Sequence, residues 1–514
     1  MRALLMTTVL TVLALPALAA QPTADWPCVQ VLQPHLSLGQ VWSGPAPDPN
    51  SQPAPEIAAL ADRIEGVRDW RKGYVDLVHD VTAASAASAD AARRIADDGL
   101  ASMRRRMVLV DVAGDEAPLD EATVTLPAGA APFGSESVRG TADPVTELRV
   151  PVGGRELAGD ELRGQLAAWV DAGVVEPSFA AAVAEVIDHP EWLALPGHRA
   201  LLIGAGAEMG PLETLLSWGA DVLAIDLPRS RAWRHKKGLA TRSAGTLTFP
   251  VDVAGDSGAD VVHQPGQVLE WLRRVRGEQP LAVGMHAYAD SGVHVRVTAA
   301  VDLLMGALTD DDPQTALAWL ATPTDAFVVP PEVVAESRRR WAARGVGLRG
   351  VQAPVRALGR GRLFAPAYAG VGEGGPGIAD VIVPQQGPNY TIAKRLQRWR
   401  GVAAEGSGQT VSFNVAPATW TRSVTKNPVL GAAYGGAHRF GVEVFAPETV
   451  RPLMAALLVR DLVRESPQRA HPEELFSEAA AHGGLWRVGY EPKTALGVAA
   501  VAGLPGSLRR RLRG

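Results

Sequence analysis

The sequence predicts an α/β protein: a doubly wound parallel sheet joined to an N-terminal, mainly helical domain. Three observations carry that prediction. Between residues 196 and 445, short apolar runs alternate with segments of helical period, the order that builds parallel sheets. The first run leads straight into a glycine-rich turn, and the second ends in a carboxylate. At 514 residues the chain is too long for one ordinary core, so a further unit ahead of the sheet is the natural expectation.

Taken in order, Met1-Arg2, an apolar run over 3–15 and small residues at Ala17 and Ala19 read as a signal peptide (1–20). That predicts a periplasmic or secreted protein, or a cytoplasmic one if the leader does not function. Residues 21–55 are a Pro-rich extended leader. The helical domain (56–195) starts with Ile57, Leu60, Ala61 and Ile64 at helical spacing. It continues in a long helical region over 69–107, carried by Val75, Val78, Val81, Ile95, Leu100 and Met103. β-like pieces at 108–110, 122–126 and 147–152 follow, then helices over 160–174 and from Pro177 to about Val186.

The next stretch is more specific. Arg199-Ala200-Leu201-Leu202-Ile203 is a buried-strand run, followed at once by Gly204-Ala205-Gly206-Ala207-Glu208-Met209-Gly210. A helix with Leu212, Leu215 and Leu216 on its apolar face stops at Gly219, and residues 221–226 form a second strand ending in Asp226. Gly204, Gly206 and Gly210 let the backbone approach a phosphate at a helix N-terminus, and Asp226 is placed to accept ribose hydroxyls. This is a nucleotide-binding βαβ unit of Rossmann type; a βαβ turn without ligand is the alternative.

The alternation continues with a strand over 246–251 that runs into Asp252, which either contacts the adenine ring or caps its own segment. A strand over 280–284 enters His286-Ala287-Tyr288-Ala289-Asp290, and a helix after Gly292 carries Val295, Ala299, Leu303 and Leu304. A fifth strand, 316–321, ends in Thr322-Pro323-Thr324-Asp325. After an insertion over about 330–385, Tyr390-Thr391-Ile392-Ala393-Lys394 opens a helix, and a strand containing Asn414-Val415-Ala416-Pro417 follows. Tyr390 and Lys394, four apart, share one helix face, where an ammonium favours an ionised phenol.

In this order the motifs resemble the short-chain dehydrogenase/reductase superfamily over residues 198–425: the glycine loop, the acid after strand two, Asp-Val after strand three, Tyr-x-x-x-Lys, then Asn-x-Ala-Pro. The resemblance implies hydride transfer between a nicotinamide cofactor and a carbonyl or alcohol. It implies cofactor contacts from Gly204, Gly206, Gly210, Asp226, Asp252 and Asn414. Tyr390 would be the acid/base and Lys394 its partner. Thr322 or Thr324 would stand for the family's serine, with Gln385 or Gln386 as the alternative. NAD is favoured over NADP because Asp226 repels a further phosphate, a preference that Arg229 and Arg231 weaken. The chain departs from the pattern at Glu208, where the family usually has its second glycine.

Two other readings fit the same motif. An S-adenosylmethionine-dependent methyltransferase uses a similar loop and acid, with no phosphate near Glu208, and a non-catalytic scaffold needs neither. Composition excludes other classes. A formal charge of −5 with 20% charged residues implies no nucleic-acid partner. The single cysteine, Cys28, rules out an intramolecular disulfide and a cysteine zinc site, and no histidine pair has metal-ligand spacing. The expected partner is a small-molecule substrate, with homo-oligomerisation left open. The C-terminal part, from Glu443-Val444-Phe445 through residues 446–514, is expected to complete the sheet, pack over the substrate side and end in a basic tail, with no membrane-spanning segment in the mature chain.

Overall fold

The computed structural model describes residues 28–31, 70–111, 113–345, 353–354, 356–357 and 363–511. The expected signal peptide, most of the leader and the helix expected near Ile57 lie outside the described residues. Strand β1 (Cys28–Val31) precedes helices α1 (Trp70–Ala86) and α2 (Ala89–Arg106) and pairs antiparallel with β2 (Met107–Val110). The expected single helical region over 69–107 is broken at Ser88, whose hydroxyl accepts from Ala91 N and caps α2. Arg104, Arg105 and Arg106 occupy the last turn of α2, where cations oppose the helix dipole. Strand β3 (Glu116–Pro118) completes this small sheet. Residues 122–126, expected as a strand, are irregular.

Strand β4 (Gly134–Arg139) is followed by a hairpin of β5 (Val150–Val152) and β6 (Arg155–Leu157), then α3 (Gly159–Asp171) and α4 (Pro177–Asp188). The repeating units come next: β7 (Arg199–Ile203), α5 (Leu212–Ser217), β8 (Asp221–Ile225), α6 (Ser230–Thr241), β9 (Thr246–Val251), α7 (Pro265–Val275), β10 (Leu281–Met285), α8 (Gly292–Asp311) and β11 (Ala316–Ala321). An antiparallel ribbon of β12 (Ala326–Val329) and β13 (Gly377–Asp380) brackets the insertion, which contains α9 (Pro331–Ala342). Helix α10 (Gly387–Gly406) leads to β14 (Val411–Val415). Then come α11 (Arg422–Lys426), α12 (Pro428–Gly436), α13 (Pro447–Val463), α14 (Glu474–Ser477) and α15 (Pro492–Arg511).

The main sheet has seven strands in the order β14-β11-β10-β7-β8-β9-β4. The first six run parallel, and β4 pairs antiparallel with β9 at the edge. Numbered by their order in the chain, the parallel strands read 3-2-1-4-5-6 from β9 across to β14, compatible with a Rossmann-like fold. The strand order reverses between β7 and β10, the place where sheets of this order take ligands. Residues 443–445, expected to help complete the sheet, add no strand; Phe445 makes one isolated bridge to Thr419.

Successive residues of these strands point to opposite faces, and both faces are buried. Leu201, Ile203, Val283, Trp319 and Phe413 pack under α7, α8 and α10, with α1 and α2 outside them. Leu202, Ala224, Ala318 and Phe249 pack against α4, α5 and α13. Among the described residues, α8 alone is long and apolar enough to cross a membrane, and 67% of that stretch is buried in the core.

Two buried ionic groups fix loops to this frame. Glu176 accepts from Arg487 at 2.8 and 2.6 Å and from His482 at 2.9 Å. Burial pushes Glu176 upward, but His482 and Arg487 outweigh it and hold the carboxyl down to about 2. His482 Nδ1 accepts from Gly484 N, so the ring is a neutral donor to Glu176. The second group, around Asp325, belongs to the site.

Candidate functional site

Asp325, at the turn between β11 and β12, anchors α10. Arg395 donates to its Oδ1 at 2.8 Å and Arg398 approaches its Oδ2 at 3.4 Å; both guanidinia also donate to Ala326 O. Arg398 reaches on to Glu473 at 2.6 Å, which in turn accepts from Ser85 of α1. Burial would raise Asp325, but Arg395 and Arg398 keep it below the usual carboxylate range. Tyr390 and Lys394 therefore stand on a helix clamped to the C-terminal end of β11.

The structure brings Thr322, Thr324, Gln386, Tyr390 and Lys394 together there. Thr322 Oγ1 lies 2.9 Å from Thr324 Oγ1, and Gln386 Nε2 donates to Thr324 Oγ1 at 2.8 Å. Burial drives the Tyr390 phenol well above its ordinary value, with Asp325, Tyr288 and Tyr434 adding to the rise, while a hydrogen bond from Thr322 opposes it. Lys394 Nζ donates to Leu320 O at 3.2 Å and Gln397 Oε1 at 3.0 Å, and lies 5.8 Å from the Tyr390 ring centre. Burial lowers Lys394 to about 8, and Asp325 limits the fall.

Two histidines missed by sequence reasoning flank this group. His294, on the first turn of α8, stacks on Tyr390 with ring centres 5.7 Å apart, and Tyr288 leans on both rings. His286 directly follows β10, where its backbone N–H extends the ladder to Ile203 O. His294 is buried and His286 half-buried, and the ring nitrogens of both are shielded from solvent with no hydrogen bond. Burial, aided by the Lys394 charge, lowers His286 to about 4 and His294 to about 3, so both are neutral near pH 7.

The glycine loop follows β7, two strands away from β11 in the sheet. Gly204 has φ +82°, and a Cβ there would sit 2.3 Å from Ala287 N. A Cβ on Gly206 would sit 2.6 Å from Asp226 Oδ2. Gly204 requires glycine, whereas a side chain at Gly206 would have to displace the Asp226 carboxylate. Gly210 N closes a turn onto Ala207 O, and α5 begins only at Leu212, behind Pro211. Asp226 Oδ2 accepts from Gly206 N at 2.8 Å and pairs with buried Lys236 at 2.8 Å; its Oδ1 accepts from Leu227 N. One carboxylate lone pair of four remains for a ligand. Lys236, on α6, was not singled out in the sequence, where it is one of several basic residues between 229 and 237. Glu208 turns to the opposite wall and accepts from Arg422 N at 2.8 Å.

Two expected cofactor residues have partners of their own. Asp252 Oδ1 accepts from Ala254 N and Asp256 N, closing its own turn. Asn414 donates to Ser412 Oγ and Asp461 Oδ2 on the α13 face of the sheet, opposite Tyr390. It lines a narrow cavity there with His286, Met209 and Leu458. The side chain of Gln385 lies outside the described residues. Among the described residues, no group of three or more His, Cys, Asp or Glu is placed to hold a metal ion. Neither a scan against protein-family models nor a search of curated proteins found a match for the chain.

Proposed function

We propose that the protein is an NAD(P)-dependent oxidoreductase of the short-chain dehydrogenase/reductase type, built on a doubly wound sheet and acting on a carbonyl/alcohol pair. The observation that carries this reading is the convergence of Thr322, Tyr390 and Lys394 at the C-terminal end of β11, beside the place where strand order reverses. A methyltransferase leaves that arrangement without a task.

A dinucleotide would be held chiefly by its ribose: the remaining lone pair of Asp226 suits a ribose hydroxyl, while the Gly204 and Gly206 N–H groups are already donated to Ile225 O and Asp226 Oδ2. NAD is favoured by the Asp226 carboxylate, and the Lys236 ammonium beside it offsets part of that preference. The bound nicotinamide supplies or accepts the hydride. In carbonyl reduction, Thr322 and Tyr390 hold the substrate oxygen, and the Tyr390 proton passes to it as negative charge develops. Lys394 has used two of its three N–H groups on Leu320 and Gln397, leaving one for a ribose hydroxyl, and its charge favours the tyrosinate.

The test is nicotinamide absorbance with a panel of aldehydes and ketones, for the wild type, Tyr390→Phe and Thr322→Val. Turnover that falls at least about 100-fold in both variants, with cofactor affinity kept, supports the assignment. Turnover indifferent to both substitutions removes it.

A further inference from the structure

A helix on the surface of a globular unit normally turns a charged face outward. Helices α12 and α15 do not. No Asp, Glu, Lys or Arg stands between Lys426 and Arg439, or between Lys493 and Arg509. Yet the pair reaches the surface: Val429 is 56% exposed and Val501 67%. Pro428 beside Val429, and Gly497 one turn before Val501, are exposed as well. Both helices are firmly built. Asn427 caps α12, its Oδ1 accepting from Val429 N and Leu430 N at 3.1 Å. Small residues draw the helices together, since a Cβ on Gly436 would meet Ala499 O and one on Gly503 would meet Ala432 O. That register is antiparallel, so α15 continues from Gly503 past the start of α12 and on to Arg511.

The charges that frame the pair have one sign. Arg422, Lys426 and Arg439 are exposed on either side of α12, and Arg509, Arg510, Arg511 and Arg513 follow the apolar part of α15. No Asp or Glu occurs over 415–442 or 492–514, in a chain whose formal net charge is −5. Two acids approach from elsewhere: Glu208 accepts from Arg422 N, and Asp380 pairs with Lys493, which is therefore not one of the framing cations. We propose that α12 and α15 form a docking surface for an anionic lipid bilayer. Val429, Val501 and the uncharged positions around them enter the headgroup boundary, and the framing cations meet the lipid phosphates. A nucleic acid would use the cations and leave the exposed valines without a task, and a second copy would bring the same cations face to face. A lipid surface takes both. The uncharged stretch of α15, over 494–508, is too short to cross a bilayer, so the contact is peripheral. Docking of this kind does not depend on the reaction that the site performs.

The experiment floats the purified full-length protein with vesicles of phosphatidylcholine alone, and of phosphatidylcholine with phosphatidylglycerol at about two to one. Wild type should float with the second and not with the first, and should be released as salt rises. Val429→Ser combined with Val501→Ser should weaken the partition about tenfold and leave thermal unfolding unchanged, because both side chains are exposed. Arg509→Ser, Arg510→Ser and Arg511→Ser together should weaken it about 100-fold. Failure of the wild type to float with the anionic vesicles overturns the proposal. Flotation unaltered by either set of substitutions overturns it too, and moves the lipid contact to another part of the chain, such as the apolar run over 3–15. A dimer that the valine substitutions dissociate, without flotation, gives the surface to a second copy and equally overturns it.

Discussion

Replacing Asp325 with alanine probes the foundation of the site. Asp325 is 5% exposed, and Arg395 and Arg398 beside it are each 2% exposed. Removal leaves Arg398 with Glu473 but strips Arg395 of its carboxylate, keeping for it only Ala326 O. An uncompensated buried guanidinium of this kind costs about 3–5 kcal/mol. Asp325→Asn keeps the shape and part of the hydrogen bonding, and should cost about 1–3 kcal/mol. Urea unfolding followed by tryptophan fluorescence measures both. The charge also supports Lys394, so its loss should lower that ammonium further below about 8. A double variant, Asp325→Leu with Arg395→Met, should recover much of the stability lost in Asp325→Ala, because no buried charge is orphaned. If Asp325→Ala unfolds within about 0.5 kcal/mol of wild type, the network does not anchor α10 and the reasoning fails.

Around Asp226, Lys236→Met should leave the carboxylate charge uncompensated and weaken NADPH relative to NADH by about tenfold, read by calorimetry; Gly206→Ala should weaken binding of both, since its Cβ would push the Asp226 carboxylate out of place. Glu176, held at about 2 against 4.5 for the free group, stabilises the fold fully above the unfolded value and loses that contribution as pH falls from about 4.5 through about 2. Thermal unfolding of Glu176→Gln should therefore show a flatter acid limb than wild type. The rate of carbonyl reduction should decline as pH rises through about 8, where Lys394 loses its proton, and Lys394→Arg should extend the plateau to higher pH if the variant turns over.

Local patterning made much of the sheet legible. The run 199–203, the glycine loop and the strand ending at Asp226 are contiguous and unlike any helix, so their element types follow from short-range chemistry. The same holds for Tyr390 and Lys394, which a helix must place on one face. Strand β4 was not legible: Gly-Ser-Glu-Ser-Val-Arg has one large apolar residue, and its place at the sheet edge comes from pairing with Thr246–Val251 far along the chain. Residues 122–126 show the converse, β-prone but without a partner strand. The long-range groups behave likewise. Asp325 with Arg395, Gln386 with Thr324, and Lys236 with Asp226 join residues whose types give no sign of one another in sequence. Asn414 matched a motif, yet strand parity set it on the opposite face, bonded to Asp461.

The most direct measurement of the central claim is titration calorimetry of the purified protein with NAD, NADP and S-adenosylmethionine, alongside Asp226→Ala and Tyr390→Phe. Dinucleotide binding should be lost in Asp226→Ala and kept in Tyr390→Phe. Binding of S-adenosylmethionine, or of none of the three, would contradict it.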